Sequence, residues 1–310
     1  MNPITQSRFQ LLCDNTVRKV HEEVIKELQE EESYREQMYN VVNSDRAYEE
    51  FYGIGGIGNI PNFNGTLQYL APSPGYLDRI EPAEFAAGME IERKFWNHNL
   101  SGKLRDYASM LKKASFRTKE ESACSGYANL NSVAFSFMPL HEEGVAIGST
   151  AHTTKDTSVS TATGFSNLGT SALDEVSVEA TRLLMRGFRG LNGKRLGINP
   201  DTLIIPDDLS KTANELNSTT TGLYSAEGTV NVQKNRWKII TWSMLGDYST
   251  TNWIMADSRY IKEFAKWIVN VEDEPANVID FETKRIKHSL YSSWGYGFIG
   301  WQAFYFHQVS

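Results

Sequence analysis

The chain of 310 residues is 40% hydrophobic, which is enough for a substantial core in one elaborate domain or two ordinary ones. Its net charge of -7 argues against a protein whose main task is to grip nucleic-acid phosphates, but it permits a protein that encloses nucleic acid. The sequence has neither an apolar run of membrane-spanning length nor a signal-peptide pattern, so we expect a cytoplasmic protein without a membrane partner.

An acidic amphipathic helix is predicted near the start of the chain. Val20, Val24, Ile25 and Leu28 follow Val17 at three- and four-residue steps around the charged stretch HEEVIKELQEEESYREQ. The narrow apolar stripe and the high charge favour a helix that docks on a surface or a partner, with a plain solvated helix as the alternative.

The stretch FYGIGGIGNI matches the G-x-G-x-x-G pattern of dinucleotide-binding turns through Gly53, Gly55 and Gly58. That fingerprint needs a buried strand before it and a helix after it, because the helix amides hold the pyrophosphate. Here the charged NSDRAYEE comes before, and NIPNFNG, with Pro61 and Gly65, comes after. We therefore predict no cofactor site.

Residues 60–97 predict an extended hairpin with little core of its own. TLQYL, YLDRI and GMEIERKFW are short β-prone segments, and APSPG between the first two is a turn. Asn99 then caps the longest predicted helix. One face of this helix carries Leu104, Tyr107, Ala108, Leu111 and Ser115.

The rest of the chain alternates loops, helices and strands. Residues 148–170 are rich in Ser, Thr and Gly and predict a loop between two structural units. Ser171 caps a helix, residues 202–205 form a short buried strand, and the last two strands are joined near Gly295 or Gly300. The apolar face of the helix is formed by Leu173, Val176, Ala180, Leu183 and Leu184. Without βαβ repetition, the predicted fold class is α+β with projecting extended segments.

No motif predicts catalysis or metal binding. The six histidines never reach H-E-x-x-H or H-x-H spacing, and HEE at His141 is interpreted as a polar turn. Ser109 and Lys112 match S-x-x-K, but the companion S-D-N and K-T-G elements are absent. Cys13 and Cys124 stand alone, so neither a disulfide framework nor a zinc site is indicated. We predict that the protein is not an enzyme and has no catalytic, cofactor-binding or metal-binding residues.

Four stretches after residue 140 occur in a characteristic order: HEEGVAIGSTAHTT, GFSNLGTSALDEVSVEA, GLNGKRLGINPDTLIIPDDLSKTANEL and DEPANVIDFETKRIKHSLYSSWGYGFIGWQ. This order resembles that of tailed-bacteriophage major capsid proteins with the HK97-type fold, particularly the Mu-like major head proteins. In that family a Ser/Thr/Gly-rich loop precedes a helix, then a Leu/Pro-spaced segment, then strands that end in an aromatic, glycine-rich return. The central segment here comprises Gly193, Leu196, Pro200, Leu203, Pro206 and Leu209.

The resemblance implies an HK97-like capsid fold over nearly the whole chain. Residues 1–48 would be the N-terminal arm with the acidic helix, and residues 49–97 the glycine-rich turn and extended loop. Residues 98–164 together with 281–310 would be the P-domain with its long spine helix, and residues 165–280 the A-domain.

The resemblance also implies a structural function. Hexamers and pentamers would build an icosahedral virion shell around double-stranded DNA, held without sequence specificity. Assembly in the host bacterial cytoplasm would involve a separate scaffolding protein, or partly the acidic helix, with a portal at one vertex and a decoration protein as a further candidate partner. The alternatives are an encapsulin-like compartment of the same fold and a hydrolase, the latter suggested only by abundant Trp and Tyr alongside carboxylates.

The extended loop is expected to supply contacts between copies. A two-stranded loop is marginal alone, and its apolar side chains gain burial against a neighbour. The expected contact residues are Leu67, Tyr69, Leu70, Phe85, Met89, Ile91 and Phe95. Gly53, Gly55, Gly56 and Gly58 form the expected hinge where the arm turns into the loop. Residues 217–229 are the candidate loop at the capsomer axis.

Some members of the resembled family join subunits covalently through a lysine near the tip of this loop. Residues 52–93 contain no lysine. We therefore predict no such cross-link. Denaturing electrophoresis of mature particles should show single chains, and a ladder of linked subunits would contradict the prediction.

Overall fold

The computed structural model describes residues 19–20, 22–24, 26, 33–54, 59–67, 69–92, 101–218, 231–280, 282–283 and 285–309. The helices with defined bounds are α1 (Tyr34–Met38), α2 (Ser101–Ala128), α3 (Glu175–Arg186), α4 (Ser210–Ser218) and α5 (Ser258–Phe264). The strands are β1 (Asn40–Asn43), β2 (Glu49–Ile54), β3 (Pro74–Ile80), β4 (Ala83–Glu92), β5 (Leu140–His141), β6 (Leu168–Gly169), β7 (Thr202–Ile205), β8 (Lys238–Thr241), β9 (Trp253–Ala256), β10 (Ala265–Ile279), β11 (Arg285–Phe298) and β12 (Phe304–His307). The α+β class is confirmed.

A four-stranded sheet has the order β1-β10-β11-β4. Its centre is the long antiparallel hairpin of β10 and β11, and β4 pairs antiparallel with β11 over ten residue pairs. The helical residues Val20 and Val24 are buried against this sheet and against α2, in a cluster with Ile91, Ala108 and Ile286. The described part of the acidic helix therefore docks on a surface of its own chain.

A five-stranded sheet has the order β6-β12-β9-β7-β8. β7, β9 and β12 are buried at every residue, which confirms the buried strand predicted at 202–205. β7 pairs in parallel with β8 and antiparallel with β9, so the sheet is mixed. α3 and α4 pack on this sheet, because Val178, Met185, Ala213 and Leu216 belong to the same apolar core as Ile204.

The aromatic return near the end of the chain connects the two sheets. β11 ends at Phe298 in the four-stranded sheet, and β12 begins at Phe304 in the five-stranded sheet. Gly300 lies in this crossing, where a Cβ would come within 2.5 Å of the Phe264 ring, so the close packing requires glycine. Gly295, the other predicted junction, lies inside β11.

The long helix predicted after Asn99 is confirmed as α2, although Asn99 itself lies outside the described residues. Ala108 and Leu111 of its predicted apolar face are buried. Near its C-terminal end, Tyr127 donates a hydrogen bond to the carbonyl of Met38 at 2.9 Å. α2 is thereby fixed to the end of α1, just before β1.

A projecting hairpin belongs to a third sheet of order β2-β3-β5. Its arms are β2 and β3, which are antiparallel, with residues 55–73 between them. The expected hairpin of TLQYL and YLDRI is wrong, because no strand occurs within described residues 59–67 and 69–73, and YLDRI pairs with β2 instead. The sequence pattern could identify β-prone runs but not their partners, since strand pairing is a contact between distant residues.

Strand pairing also differs from the predicted domain boundaries at three places. Residues 265–279, placed in the predicted A-domain, form β10 of the four-stranded sheet. Residues 304–307, placed in the predicted P-domain, form β12 of the five-stranded sheet. Residues 83–92, placed in the extended loop, form β4 and lie in the four-stranded sheet.

Candidate assembly surfaces

The projecting hairpin, residues 49–80, is an uncharged surface segment over most of its length. Residues 51–77 contain no Asp, Glu, Lys, Arg or His. Every described residue from 59 to 72 is exposed. Ile60 is 90% exposed, Phe63 76% and Tyr69 93%. An apolar group of this kind on an exposed loop marks an interaction surface.

Three of the predicted contact residues lie on this hairpin. Leu67, Tyr69 and Leu70 are all exposed. The predicted contact residues do not include Ile60 and Phe63, which lie in the asparagine-rich, largely polar stretch NIPNFNG. The sequence feature that could identify Ile60 and Phe63 as surface contacts is the absence of charged residues around them, not a β-strand pattern.

The other predicted contact residues do not lie on the projecting hairpin. Phe85 stacks on Trp294 with ring centroids 4.2 Å apart, and Ile91 is buried in the cluster below the N-terminal helical segment. Met89 is half-buried in the same strand, β4. Their assignment to a loop without a core is corrected, because β4 pairs with β11 and lies on the body of the protein. Phe95 lies outside the described residues.

A pair of glycines lies where the hairpin leaves its sheet. Gly53 is in β2 near Gly75 of β3, at a shift in the β2–β3 register. A Cβ on Gly75 would overlap the backbone of Gly53. The backbones of β2 and β3 therefore lie very close together at Gly53 and Gly75, which is compatible with a bend of the hairpin at this point. The hinge stays a prediction, and its other members, Gly55, Gly56 and Gly58, lie outside the described residues.

α3 carries an apolar stripe on its solvent side. Asp174 caps the helix by accepting a hydrogen bond from the Ser177 amide at 2.6 Å. Val178, Thr181 and Met185 face the core, whereas the predicted apolar face is exposed. That exposed stripe comprises Val176, Ala180, Leu183 and Leu184, whereas Leu173, which lies before the helix, is buried.

α3 has apolar residues on two opposite sides. A helix that is apolar all round is normally buried all round. In the single chain only one side of α3 is covered, and Leu183 remains 57% exposed. The exposed stripe of α3 is therefore a second candidate contact surface.

A buried ion cluster ties α2 to β10. Lys112 Nζ lies 2.5 Å from Asp273 Oδ2, and Lys119 Nζ lies 2.8 Å from Asp273 Oδ1. Ser115 Oγ donates to the same Oδ1 at 2.8 Å. The exposed Glu272 adds an ion pair to Lys119 at 3.0 Å. Asp273 lies where the β10–β11 register shifts, between Val271 and Glu274, and such irregularities re-aim side chains.

The two lysines of this cluster favour the ionised form of the Asp273 carboxyl group. Burial alone would raise the pKa of its carboxyl, but Lys119 and Lys112 lower the pKa to about 2. Lys112, which matches an S-x-x-K pattern with Ser109, forms this ion pair with Asp273. The cluster is a structural joint between the long helix and the long hairpin.

The histidines and carboxylates form hydrogen-bonded pairs rather than a metal site. His141 contacts Asp78, and His152 contacts Glu143 and Asn167. No group of three metal-ligating side chains occurs within the part of the chain that the structure describes. In the HEE segment, His141 ends β5, and Glu142 and Glu143 form a turn after it. The candidate axis loop, 217–229, lies outside the described residues apart from its first two positions.

No helix in the described ranges is long and apolar enough to cross a membrane.

Solved structures with a similar fold include capsids. The capsid of an empty GTA particle is 10% identical over 90% of this chain and 90% of that chain, with a TM-score of 0.54. The procapsid of bacteriophage JBD30 is 12% identical over 99% of this chain and 77% of that chain, with a TM-score of 0.53. A virus-like particle from Pyrococcus furiosus is 9% identical over 95% and 98%, with a TM-score of 0.53. No curated protein matches the chain.

These similarities show that the chain has the HK97-like capsid fold. A family model described as phage capsid protein matches residues 79–305, which is more than half of the chain. The chain belongs to the phage capsid protein family, and the expectation of a tailed-phage capsid protein in the virion, rather than an enzyme, is confirmed.

Proposed function

We propose that copies of this chain assemble as hexamers and pentamers into an icosahedral shell that encloses double-stranded DNA. The observation that carries this proposal is the uncharged, exposed hairpin of a chain that belongs to the phage capsid family. Closed shells are built from contacts repeated by symmetry, and each copy must then offer surfaces that the single chain leaves uncovered. The hairpin and the exposed stripe of α3 are two such surfaces.

The enclosed DNA is part of the proposal because of the charge of the chain. A net charge of -7 disfavours strong adhesion to phosphates, as suits a container that must later release its contents. Assembly would take place in the host cytoplasm, with a scaffolding protein and a portal as partners and a decoration protein on the finished shell. The capsomer axis would be approached by residues 217–229.

The test uses the full chain expressed with its scaffold and particles isolated from infected cells. Electron microscopy is expected to show closed shells, and nuclease-treated particles are expected to contain double-stranded DNA. A chain that stays monomeric at every concentration and salt condition would contradict the shell. Particles that contain a protein cargo and no nucleic acid would contradict DNA enclosure and would favour a compartment of the encapsulin kind.

The exposed stripe of α3 gives a separate prediction. Leu183→Lys should leave the fold of the single chain unchanged, because Leu183 is 57% exposed and surface substitutions usually change stability by at most about 0.5 kcal/mol. It should reduce assembly, because a lysine in an apolar contact loses its water without gaining a partner. Light scattering during assembly measures the effect.

Leu183→Met is the matched control, since it keeps an apolar side chain of similar size. Its assembly should equal that of the original chain. Normal assembly of the lysine variant would remove the α3 stripe from the contact surfaces and leave the role of the hairpin untouched.

A further inference from the structure

The projecting hairpin is attached to β5 by few bonds. β3 and β5 share only two residue pairs, Asp78↔His141 and Arg79↔Leu140. The amide of Glu142 adds a hydrogen bond to the carbonyl of Leu77 at 3.1 Å, and its carboxylate accepts one from the Leu77 amide at 2.8 Å. With so short a ladder, one side-chain contact at this level has a large share in fixing the base of the hairpin.

His141 is held between two acceptors at this point. Its Nδ1 lies 2.6 Å from Asp78 Oδ1, and its Nε2 lies 3.0 Å from the carbonyl oxygen of Val145. The side chains of His141 and Asp78 are 7% and 6% exposed, so water offers little replacement. A neutral imidazole has a single N–H, and both contacts are hydrogen bonds only when the ring is the doubly protonated imidazolium.

Two further side chains act on the His141 ring or pack against it. Glu143, two residues on, is the second carboxylate that acts on the ring, and the ring of Phe135 packs edge-on with centroids 4.9 Å apart. Burial alone would lower the pKa of His141, but Asp78, Glu143 and the Val145 carbonyl together raise it above the ordinary value.

Two further side-chain pairs lie along the same segment. Glu142 is paired with Lys155 at 2.5 Å, and Glu143 also contacts His152 Nδ1 at 3.2 Å. His152 is the one other histidine of this segment, and it stacks on Trp301 with centroids 4.3 Å apart. Any pH experiment must therefore separate His141 from His152.

We propose that His141 is a protonation-dependent latch between the base of the projecting hairpin and the turn after β5. As imidazolium it bonds β3 through Asp78 and the turn through Val145 at the same time. When the proton leaves to solvent, one nitrogen keeps its N–H and the other presents a lone pair to an acceptor, so one bond is lost in a buried site. The hairpin base is then held less firmly and its angle to the body is less restricted.

The direction of the pH effect follows from the sign of the shift. A histidine whose pKa is raised in the folded protein contributes stability that is complete below the unfolded value of about 6.5. That contribution is lost as the pH rises through the folded pKa. The latch is therefore closed in mildly acidic solution and opens in the range above about pH 6.5.

The inference rests on the proposed function only in giving the hairpin a role between copies; the latch is a property of one chain. Its test uses the unassembled full chain, so failure to form shells has no bearing on the result. Hydrogen exchange of peptides covering 74–81 and 139–146 is measured by mass spectrometry from pH 5.5 to 8.5, as protection factors corrected for intrinsic exchange. Protection should fall with rising pH by about tenfold for each unit by which the pKa of His141 exceeds its ordinary value.

Two variants make the result specific. His141→Gln should abolish the pH dependence at these peptides, and His152→Gln should retain it. In case His141→Gln does not fold, the His141 ring protons of the original chain are titrated by NMR, and Asp78→Asn should lower the midpoint. Protection that does not change with pH, a pH dependence that survives in His141→Gln, or a midpoint at or below 6.5 would overturn the latch.

Discussion

The double variant Phe63→Asp, Tyr69→Asp is expected to remain folded and to lose shell assembly. Both side chains lie on the projecting hairpin, at 76% and 93% exposure, without a role in the core of the single chain. Their replacement should therefore change the free energy of unfolding by at most about 0.5 kcal/mol per site. The two new carboxylates would be the only charges between residues 51 and 77.

The expected effect on assembly is large because two terms add. Each apolar side chain that is lost from the contact removes about 1.5–3 kcal/mol of favourable burial free energy. Each carboxylate that is buried in the contact without a partner adds an unfavourable desolvation free energy. Every copy in a shell makes the same contact, so the cost recurs at each subunit. Electron microscopy and sedimentation measure assembly, and thermal unfolding of the unassembled chain measures the fold.

The matched control is Phe63→Leu, Tyr69→Phe, which keeps the hairpin apolar and should assemble. A third variant, Asn62→Asp, places one charge beside Phe63 without removing an apolar side chain, and so separates the two terms. Normal shells from the double aspartate variant would show that the hairpin tip is not a contact between copies. Loss of fold in that variant would show that the tip belongs to the core, against its exposure.

Local signals in the sequence predicted the local elements well. The spacing of Ala108 and Leu111 located the long helix, and the β-branched run before Pro206 located a buried strand. Both depend on residues close in sequence, whose periodicity and turn chemistry are visible directly. The order of such elements was also enough to indicate the capsid fold.

The pairing of strands could not be predicted in the same way. β4 pairs with β11, about two hundred residues away, and nothing in GMEIE identifies that partner. As a result Phe85 and Ile91 were assigned to a projecting loop although they contact the body. The sequence also does not say which side of α3 the chain itself covers, because this helix has apolar residues on two sides.

The buried ion cluster was missed because its central residue lies in an ordinary acidic run. Asp273 is flanked by Glu272 and Glu274, and such runs are usually solvated. Only the register shift in β10, a consequence of its pairing with β11, turns Asp273 inward toward the lysines of α2. The side chain of Glu272 is 66% exposed and that of Asp273 is 3% exposed.

Asp273→Ala is accordingly expected to destabilise the chain by about 3–5 kcal/mol, because it leaves Lys112 and Lys119 buried without their shared counter-charge. This would be a large part of the total stability of a folded domain. Denaturant-induced unfolding of the unassembled chain measures the loss. Glu272→Gln is the neighbouring control and should cost at most about 1 kcal/mol, because its ion pair with Lys119 is exposed on the carboxylate side.

The same cluster predicts an acid-induced loss of stability. Because the pKa of Asp273 is lowered to about 2, its contribution is complete above the unfolded value of about 3.9 and is lost as the pH falls through about 2. Unfolding curves measured between pH 5 and 2 should therefore show a fall in the original chain that is smaller in Asp273→Ala.

A compensating variant distinguishes the charge from the packing. Lys112→Met and Lys119→Met added to Asp273→Leu replace the whole buried cluster by apolar side chains, a change that is often neutral or stabilising for buried ion pairs. Recovery of stability in this triple variant would show that the cost of Asp273→Ala comes from the loss of the charge that Lys112 and Lys119 share. If the triple variant were as unstable as Asp273→Ala, or if Asp273→Ala itself cost less than Glu272→Gln, the cluster would not be the joint that holds α2 to β10.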